Sequence, residues 1–513
     1  MKTKVLTNIA IRVDASTRMG IGHVMRCLTL AKKLQLQNAQ VVFLCKRHQG
    51  NLISFISQHG FTVLPLSAPS ENIEQQKDDK KWLGCTYQQD AQEVTQVLTH
   101  SPWLDWLIVD HYSLDGRWQK LVKPLTNKIM VIDDLANREH YCDLLLDQTL
   151  NRKKQDYQNL VPKHCQLLLG ANFMLLRDEF SQHRPLAKTK RKNIKTVKNL
   201  LISIGGTDPD NITEQIINSL ITLKNRQPDI AIQVVASPMS VHLKQLKTIV
   251  HKYKWIEIIV SPKSMAKLIL DADIAIGASG ATAWERCCLG LPTLTFVSAK
   301  NQETIAKNIA QAGASINLGY YQQMSPESLI KALQKLQNKK EYLTMAKQNF
   351  KCCDGLGANR VVKAICKLLD DAVFLFPVTI SDASLIFKWQ SNPEVRKFLR
   401  NNKPVQWEEH INWLTNTLAN PDIHLFFIKY NESEVGTLRL DKINKKQWEI
   451  SIMIDPLQQG KKFALKAIQA IPTKFKNKEI IAEVHIENIA SHKLFKAAGF
   501  TQLSPTLYCL KDE

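Results

Sequence analysis

Residues 10–31, AIRVDASTRMGIGHVMRCLTLA, place a histidine at the end of a glycine-containing turn, between an apolar strand-like run and a helical run. Gly20 and Gly22 let a ligand approach the backbone closely, His23 stands where a helix begins with unpaired N–H groups, and Arg26 follows one turn later. Imidazole exchanges protons near neutral pH, so this corner suits an acid/base beside an anionic group such as a phosphate.

The elements that must position this corner are legible as an alternation. Strand-like runs IAIRVD, VVFLC (41–45), WLIVD (106–110), IMVIDD (129–134) and LLLD (144–147) are separated by helical sequence. A second series follows: LLISIGG (200–206), IQVVAS (232–237), IEIIV (256–260), DIAIGAS (273–279) and PTLTFV (292–297). Continuous apolar runs alternating with helices predict two doubly wound, parallel α/β domains, over 1–185 and 199–371. Ligands bind such sheets at the carboxyl ends of their strands. Asp14, Asp110 with His111 and Tyr112, Asp133 and Asp134, Gly205 to Asp208 and Ser279 to Thr282 all stand at those ends.

Composition narrows the classes. The 513 residues exceed what one core supports and predict roughly three domains, and 44% apolar with 22% charged residues is ordinary for a globular chain. The net charge of +21 is dispersed and no nucleic-acid motif accompanies it, so it favours anionic small substrates over nucleic acid. The densest basic run, Lys188 to Lys198, reads as a solvated linker. Eleven scattered cysteines without zinc-site spacing read as reduced, mostly buried thiols. No run is long enough for a membrane span, and MKTKVLTNIAIRVDAS lacks a signal-peptide pattern, which together predict a cytoplasmic protein. Asp110, His111, Asp133, Asp134 and His140 have the chemistry of metal ligands, but acids at parallel strand ends commonly bind hydroxyls or cap loops, and no metal is expected. Oligomeric state is not readable.

Together DASTRMGIGHVMRC, LLISIGGTDPDN and GASGATAWERCCLGLPTL resemble the UDP-2,4-diacetamido-2,4,6-trideoxy-β-L-altropyranose hydrolases of pseudaminic acid synthesis, over roughly residues 8–370. That resemblance implies a two-domain GT-B-like enzyme that transfers a UDP-linked sugar to water. His23 would be its acid/base, with Asp14, Gly20, Gly22 and Arg26 supporting the first-domain face. Gly205, Gly206, Thr207, Asp208, Ser279, Gly280 and Thr282 would cradle the diphosphate, and Glu285 would accept hydrogen bonds from the ribose hydroxyls. Asn301 and Gln302 would touch sugar or phosphate, or else cap a helix. UDP can leave with its charge stabilised by oriented amides, without a metal.

After Asp371 the pattern becomes α+β, with the helical run EEHINWLTNTL and strands LFFIKY, VGTLRL and WEISIMID. ISIMIDPLQQGKKFALKAIQAI followed by VHIENIASHKLFKAAGF resembles the GNAT N-acetyltransferases, giving a third domain over 374–513. The resemblance implies acetyl-CoA bound by Ile454, Gln459, Gly460, Lys461, Lys462, Ala464 and Asn488, with Ser491 beside the coenzyme arm. Lys462 stands where the family has a glycine, and Phe495 where many members have a proton-donating tyrosine; Tyr508 or water would serve instead, with Glu449 and His485 as further polar candidates on or near the strands. The expectation is a bifunctional sugar-nucleotide enzyme acting on small-molecule UDP-sugar and acetyl-CoA. The alternative is a GT-B glycosyltransferase with an organic acceptor, its GNAT-like domain a noncatalytic binding module.

Overall fold

The computed structural model describes residues 7–69, 81–99, 101, 104–205, 208–221, 230–370, 373–399, 403–430, 433–471, 475 and 478–510. The chain forms two compact units, Met1–Ile365 and Cys366–Glu513.

The first unit holds two parallel sheets. β1 (Thr7–Val13), β2 (Ala39–Lys46), β3 (Thr62–Leu66), β4 (Leu104–Asp110), β5 (Thr126–Ile132), β6 (Leu144–Asp147) and β7 (Gln166–Leu169) are ordered β3-β2-β1-β4-β5-β6-β7. β8 (Asn199–Ser203), β9 (Ala231–Ala236), β10 (Ile256–Val260), β11 (Ile274–Ala278), β12 (Thr293–Val297) and β13 (Ile316–Tyr320) are ordered β10-β9-β8-β11-β12-β13. Both sheets reverse direction between their first and fourth strands, which creates a crevice at the carboxyl ends of β1 and β4, and another at β8 and β11. Central strands are apolar on both faces because helices cover both, as the buried runs of β4, β8 and β11 illustrate.

The expected strands are all present. Three more, β3, β7 and β13, lie outside the expected series, and each is a partly exposed sheet edge. Edges need fewer apolar residues and tolerate Pro65, so their signal is weak.

The basic run is corrected by the fold. Instead of a solvated linker, its first half ends a helix, Asp178–Lys192, that packs on the second sheet's helices. Arg191 is 1% exposed and donates to the carbonyls of Ile269, Ala272 and Leu289, while Arg184 donates to those of Cys288, Phe350 and Cys353. Guanidinium groups satisfy carbonyls at helix C-termini and offset the negative end of the dipole there. Eight of the eleven cysteines are buried.

The second unit has one sheet: β14 (Phe374–Pro377), β15 (Ile423–Tyr430), β16 (Ser433–Lys442), β17 (Gln447–Ile454), β18 (Glu479–Glu483), β19 (Thr501–Gln502) and β20 (Leu507–Leu510), ordered β14-β15-β16-β17-β18-β20-β19. All its pairs are antiparallel except β17 with β18. That parallel pairing covers Gln447–Glu449 against Glu479–Ile481 and then stops. Residues 450–454 of β17 therefore part from β18 and leave backbone groups open on that side. No helix among the described residues is long and apolar enough to cross a membrane.

Candidate active site

The turn after β1 is shaped by Ser16, whose hydroxyl accepts from Arg18 N (3.2 Å) and Met19 N (2.9 Å) and whose carbonyl accepts from Gly20 N (2.9 Å). Gly20 takes φ +75°, a left-handed conformation that favours glycine, and the space beside it is open. The helix Gly22–Gln35 then starts with no side-chain cap and no acid in its first turn, and buries Val24, Cys27, Leu28, Ala31 and Leu34 against the sheet. His23 and Arg26, three residues apart, share the face turned to the crevice.

There they meet the end of β4. His23 Nδ1 lies 2.7 Å from Asp110 Oδ1, and Arg26 donates to both oxygens of Asp110 through Nε (2.6 Å) and Nη2 (2.7 Å). Arg26 also donates to Asp134 at 2.9 and 3.2 Å, and Tyr112 donates to the same carboxylate at 3.0 Å with its ring edge-on to the imidazole. Burial alone would raise the Asp110 carboxyl, but Arg26 and His23 outweigh it and hold the group well below the usual carboxylate range. A carboxylate so held accepts Nδ1–H and fixes the tautomer with Nε2 unprotonated. Nε2 carries no hydrogen bond among the described residues, which leaves a proton acceptor on a side chain 13% exposed.

Asp14 is a correction. Its side chain is 0% exposed and faces inward, bonded to Arg12 (2.6 Å) and Lys46 N (2.7 Å) with His48 and His111 at 3.4 Å. Arg12 is equally buried and needs two carboxylates, Asp14 and Asp90, so the acid at the end of β1 is consumed in anchoring a core cation. Asp110 and Asp134, weighed in the sequence as strand-end acids and as metal-ligand candidates, take the place beside His23 and Arg26 together with Tyr112.

The second sheet's crevice brings together most of the expected nucleotide-site residues. Gly205 (φ +81°) follows β8, and a Cβ there would lie 4.0 Å from Thr282 at the start of the helix Thr282–Cys288. A Cβ at Gly280 would lie 3.7 Å from Gln302, whose amide oxygen accepts from Ser298 N and its hydroxyl. Among the described residues the Ser279 hydroxyl is buried without a partner, as is Glu285 Oε2. Burial raises the Glu285 carboxyl to about 7 against the opposing pull of Arg177, whose Nη2 lies 3.4 Å from Oε1. Asp208 is a second correction: its oxygens accept from Ile212 N and Thr213 N, both at 2.9 Å, and cap the helix Ile212–Ile221. Gly206, Thr207 and the Asn301 side chain lie outside the described residues.

In the second unit Ile454 ends β17 where the sheet has parted, and Gln459, Gly460, Lys461 and Lys462 form an exposed loop leading to the helix Phe463–Gln469, with Ala464 in its first turn. Lys462 adopts φ +62°, so the lysine keeps the left-handed backbone a glycine would take. Asn488 accepts from Ser491 N (3.0 Å) and caps the helix Ile489–Ala497, which occupies its carbonyl oxygen and leaves its amide N–H groups. Phe495 is 4% exposed and packs on Phe500 and Tyr508. Tyr508 is 0% exposed with its hydroxyl 2.8 Å from His492 Nδ1, so it stands in the core and not at the sheet opening. Glu449 sits at the last β17–β18 pair, and His485 is exposed.

Comparison with known proteins follows this division. Residues 200–363 match the glycosyltransferase family 28 C-terminal domain, and residues 373–501 match the acetyltransferase (GNAT) domain. The chain therefore holds, one after the other, a region similar to family-28 C-terminal domains and a region similar to GNAT domains. The UDP-2,4-diacetamido-2,4,6-trideoxy-β-L-altropyranose hydrolase of Campylobacter jejuni is 28% identical over 61% of this chain and 99% of its own length. Acetyltransferase PseH of the same organism is 24% identical over 23% of this chain and 77% of its own. The crystal structure of Acinetobacter baumannii MurG superposes with a TM-score of 0.52 at 16% identity, covering 70% of this chain and 99% of that one, a likeness of fold. The paired parallel sheets are therefore GT-B-like, and the opened sheet belongs to the GNAT domain. Within residues 200–363 Gly205 lies beside Thr282 and Gly280 beside Gln302, and within residues 373–501 the splay falls beside the Gln459–Lys462 loop.

Proposed function

We propose that the first unit hydrolyses UDP-2,4-diacetamido-2,4,6-trideoxy-β-L-altropyranose to UDP and the free sugar, and that the GNAT domain transfers an acetyl group from acetyl-CoA to the 4-amino group of the preceding UDP-amino sugar. The observation that carries the first activity is the His23–Asp110 pair at the crevice between β1 and β4. His23 Nε2 takes a proton from water, the water oxygen bonds to the anomeric carbon, and the bond to the UDP oxygen breaks with its electron pair leaving on the diphosphate. Asp110 orients the imidazole, while Arg26 fixes Asp110. The corner of Gly205, Ser279, Gly280 and Thr282 receives the diphosphate, with Glu285 toward the ribose. The hydrolase relative, matched over nearly its whole length, supports this substrate.

For the second activity, acetyl-CoA supplies the activated acetyl group. Open space beside Gly460 and the left-handed Lys462 suit close approach of a pyrophosphate, and the unpaired edge of β17 at 450–454 suits the coenzyme's amide-bearing arm. The resemblance to PseH supports an amino-sugar acceptor. The test is mass-resolved product analysis in ¹⁸O-water, giving the pure protein UDP-4-amino-4,6-dideoxy-N-acetyl-β-L-altrosamine with and without acetyl-CoA. The expected result is ¹⁸O-labelled 2,4-diacetamido sugar only when acetyl-CoA is present. Sugar transfer to an added organic acceptor, or label in UDP, would overturn the hydrolase chemistry as written; cleavage of a supplied diacetamido nucleotide without acetylation would overturn the second activity alone.

A further inference from the structure

Arg286 makes no ion pair among the described residues, and the carboxylate whose charge reaches it is that of the neighbouring Glu285. The arginine is 2% exposed, and among the described residues no carboxylate lies within ion-pair distance of its guanidinium. Nη2 donates to Ala278 O (2.7 Å), the last residue of β11, and Nη1 donates to Thr282 Oγ1 (3.1 Å), the first residue of the following helix. The two bonds hold both ends of the Ser279–Ala281 turn, and Nε is buried without a partner among the described residues. The group fits only because position 277 is glycine: a Cβ there would lie 2.7 Å from Nη1 and 2.5 Å from Ser203 O. The guanidinium thus sits between the carboxyl ends of β8 and β11, under the second sheet's crevice. In the same turn the Ser279 hydroxyl is buried and has no partner among the described residues.

A buried cation without an ion-paired carboxylate is costly, and proteins keep one where an anion completes it. We infer that Arg286 is a positioning residue for nucleotide binding, whose charge acts through the turn it braces and is completed by the diphosphate of the ligand. This rests on the proposed seat of UDP in that crevice. Charges separated by protein rather than water interact over several ångströms, so the effect grows with the number of phosphates on the ligand and is nearly absent for the nucleoside. Burial pulls Arg286 down to about 10, which leaves it charged at neutral pH.

The experiment is calorimetric titration of the full chain with UDP, UMP and uridine, for wild type, R286K and R286Q, with thermal unfolding of each. Wild type should prefer UDP to uridine. R286Q should weaken UDP about tenfold or more, UMP by less, and uridine by no more than about twofold, and R286K should recover most of the UDP affinity. Equal loss for UDP and uridine, unchanged UDP affinity, or failure of R286Q to fold would assign the charge to the fold and overturn the inference. A wild-type protein that binds none of the three would instead overturn the proposed nucleotide seat.

Discussion

His23 and Asp110 are 87 residues apart in sequence and 2.7 Å apart at the crevice of the first sheet. The carboxylate is completely buried and shared with Arg26, so its charge is largely spent before the imidazole uses it. Its work is orientation. D110N should therefore lower UDP release by about 10² to 10⁴-fold by favouring the wrong tautomer, with the melting temperature little altered relative to R26M. A D110N enzyme turning over near the wild-type rate would remove the pair from the mechanism.

Arg26 serves two acids, Asp110 and Asp134, and is itself deeply placed. R26M leaves both carboxylates without their cation, and breaking such a buried arrangement costs about 3–5 kcal/mol. Urea unfolding followed by fluorescence should register that loss in the first unit. A change below about 1 kcal/mol would mean that water replaces the guanidinium.

Glu285 titrates at about 7 because burial penalises its charged form. A carboxylate accepts two ribose hydroxyls better than a neutral acid does, so uridine affinity should rise as pH increases through 7, with proton release on binding at pH 6. E285Q should flatten the profile. The ligand-free protein should respond oppositely: a group raised from its ordinary 4.5 contributes stability that is complete below that value and lost as pH rises through about 7. Uridine binding that is independent of pH between 6 and 8 would remove Glu285 from the ribose.

Lys462 carries a side chain where the loop's backbone is left-handed, at a cost of about 1 kcal/mol. K462G should raise the stability of the GNAT domain by up to that amount while acetyl-CoA affinity, read by calorimetry, stays within about threefold. A much larger affinity loss would show that the ammonium group itself holds phosphate.

Tyr508 is too deep to deliver a proton at the sheet opening. Y508F removes one buried hydrogen bond, to His492, and should cost about 1 kcal/mol in stability. Coenzyme A release with the amino-sugar substrate should fall by less than about threefold. A loss of a hundredfold would restore the tyrosine as the acid.

What could be read from the sequence follows how locally each feature is encoded. β1, β4, β8 and β11 are buried on both faces, so their apolar runs announce them, whereas β3, β7 and β13 are edges whose partial exposure dilutes the same signal. His23 and Arg26 share a helix face by spacing alone. Their partners Asp110 and Asp134 lie 84 and 108 residues from Arg26, and only the strand order brings them in. Asp14 looked equivalent to Asp110, since both end central strands. The difference is Arg12, a cation pointing into the core from β1, which claims Asp14 and has no counterpart in WLIVD. Asp208 was drawn away in a similar manner by the unpaired N–H groups of a helix start.

The helix Asp178–Lys192 has one more consequence. Its arginines grip carbonyl ends from several separate segments, so the stretch richest in protease-cleavable residues is also among the hardest to open. A chain that looks, residue by residue, as though trypsin should halve it at Arg191 is instead clasped there, and cutting at that bond requires the clasp to unfold first.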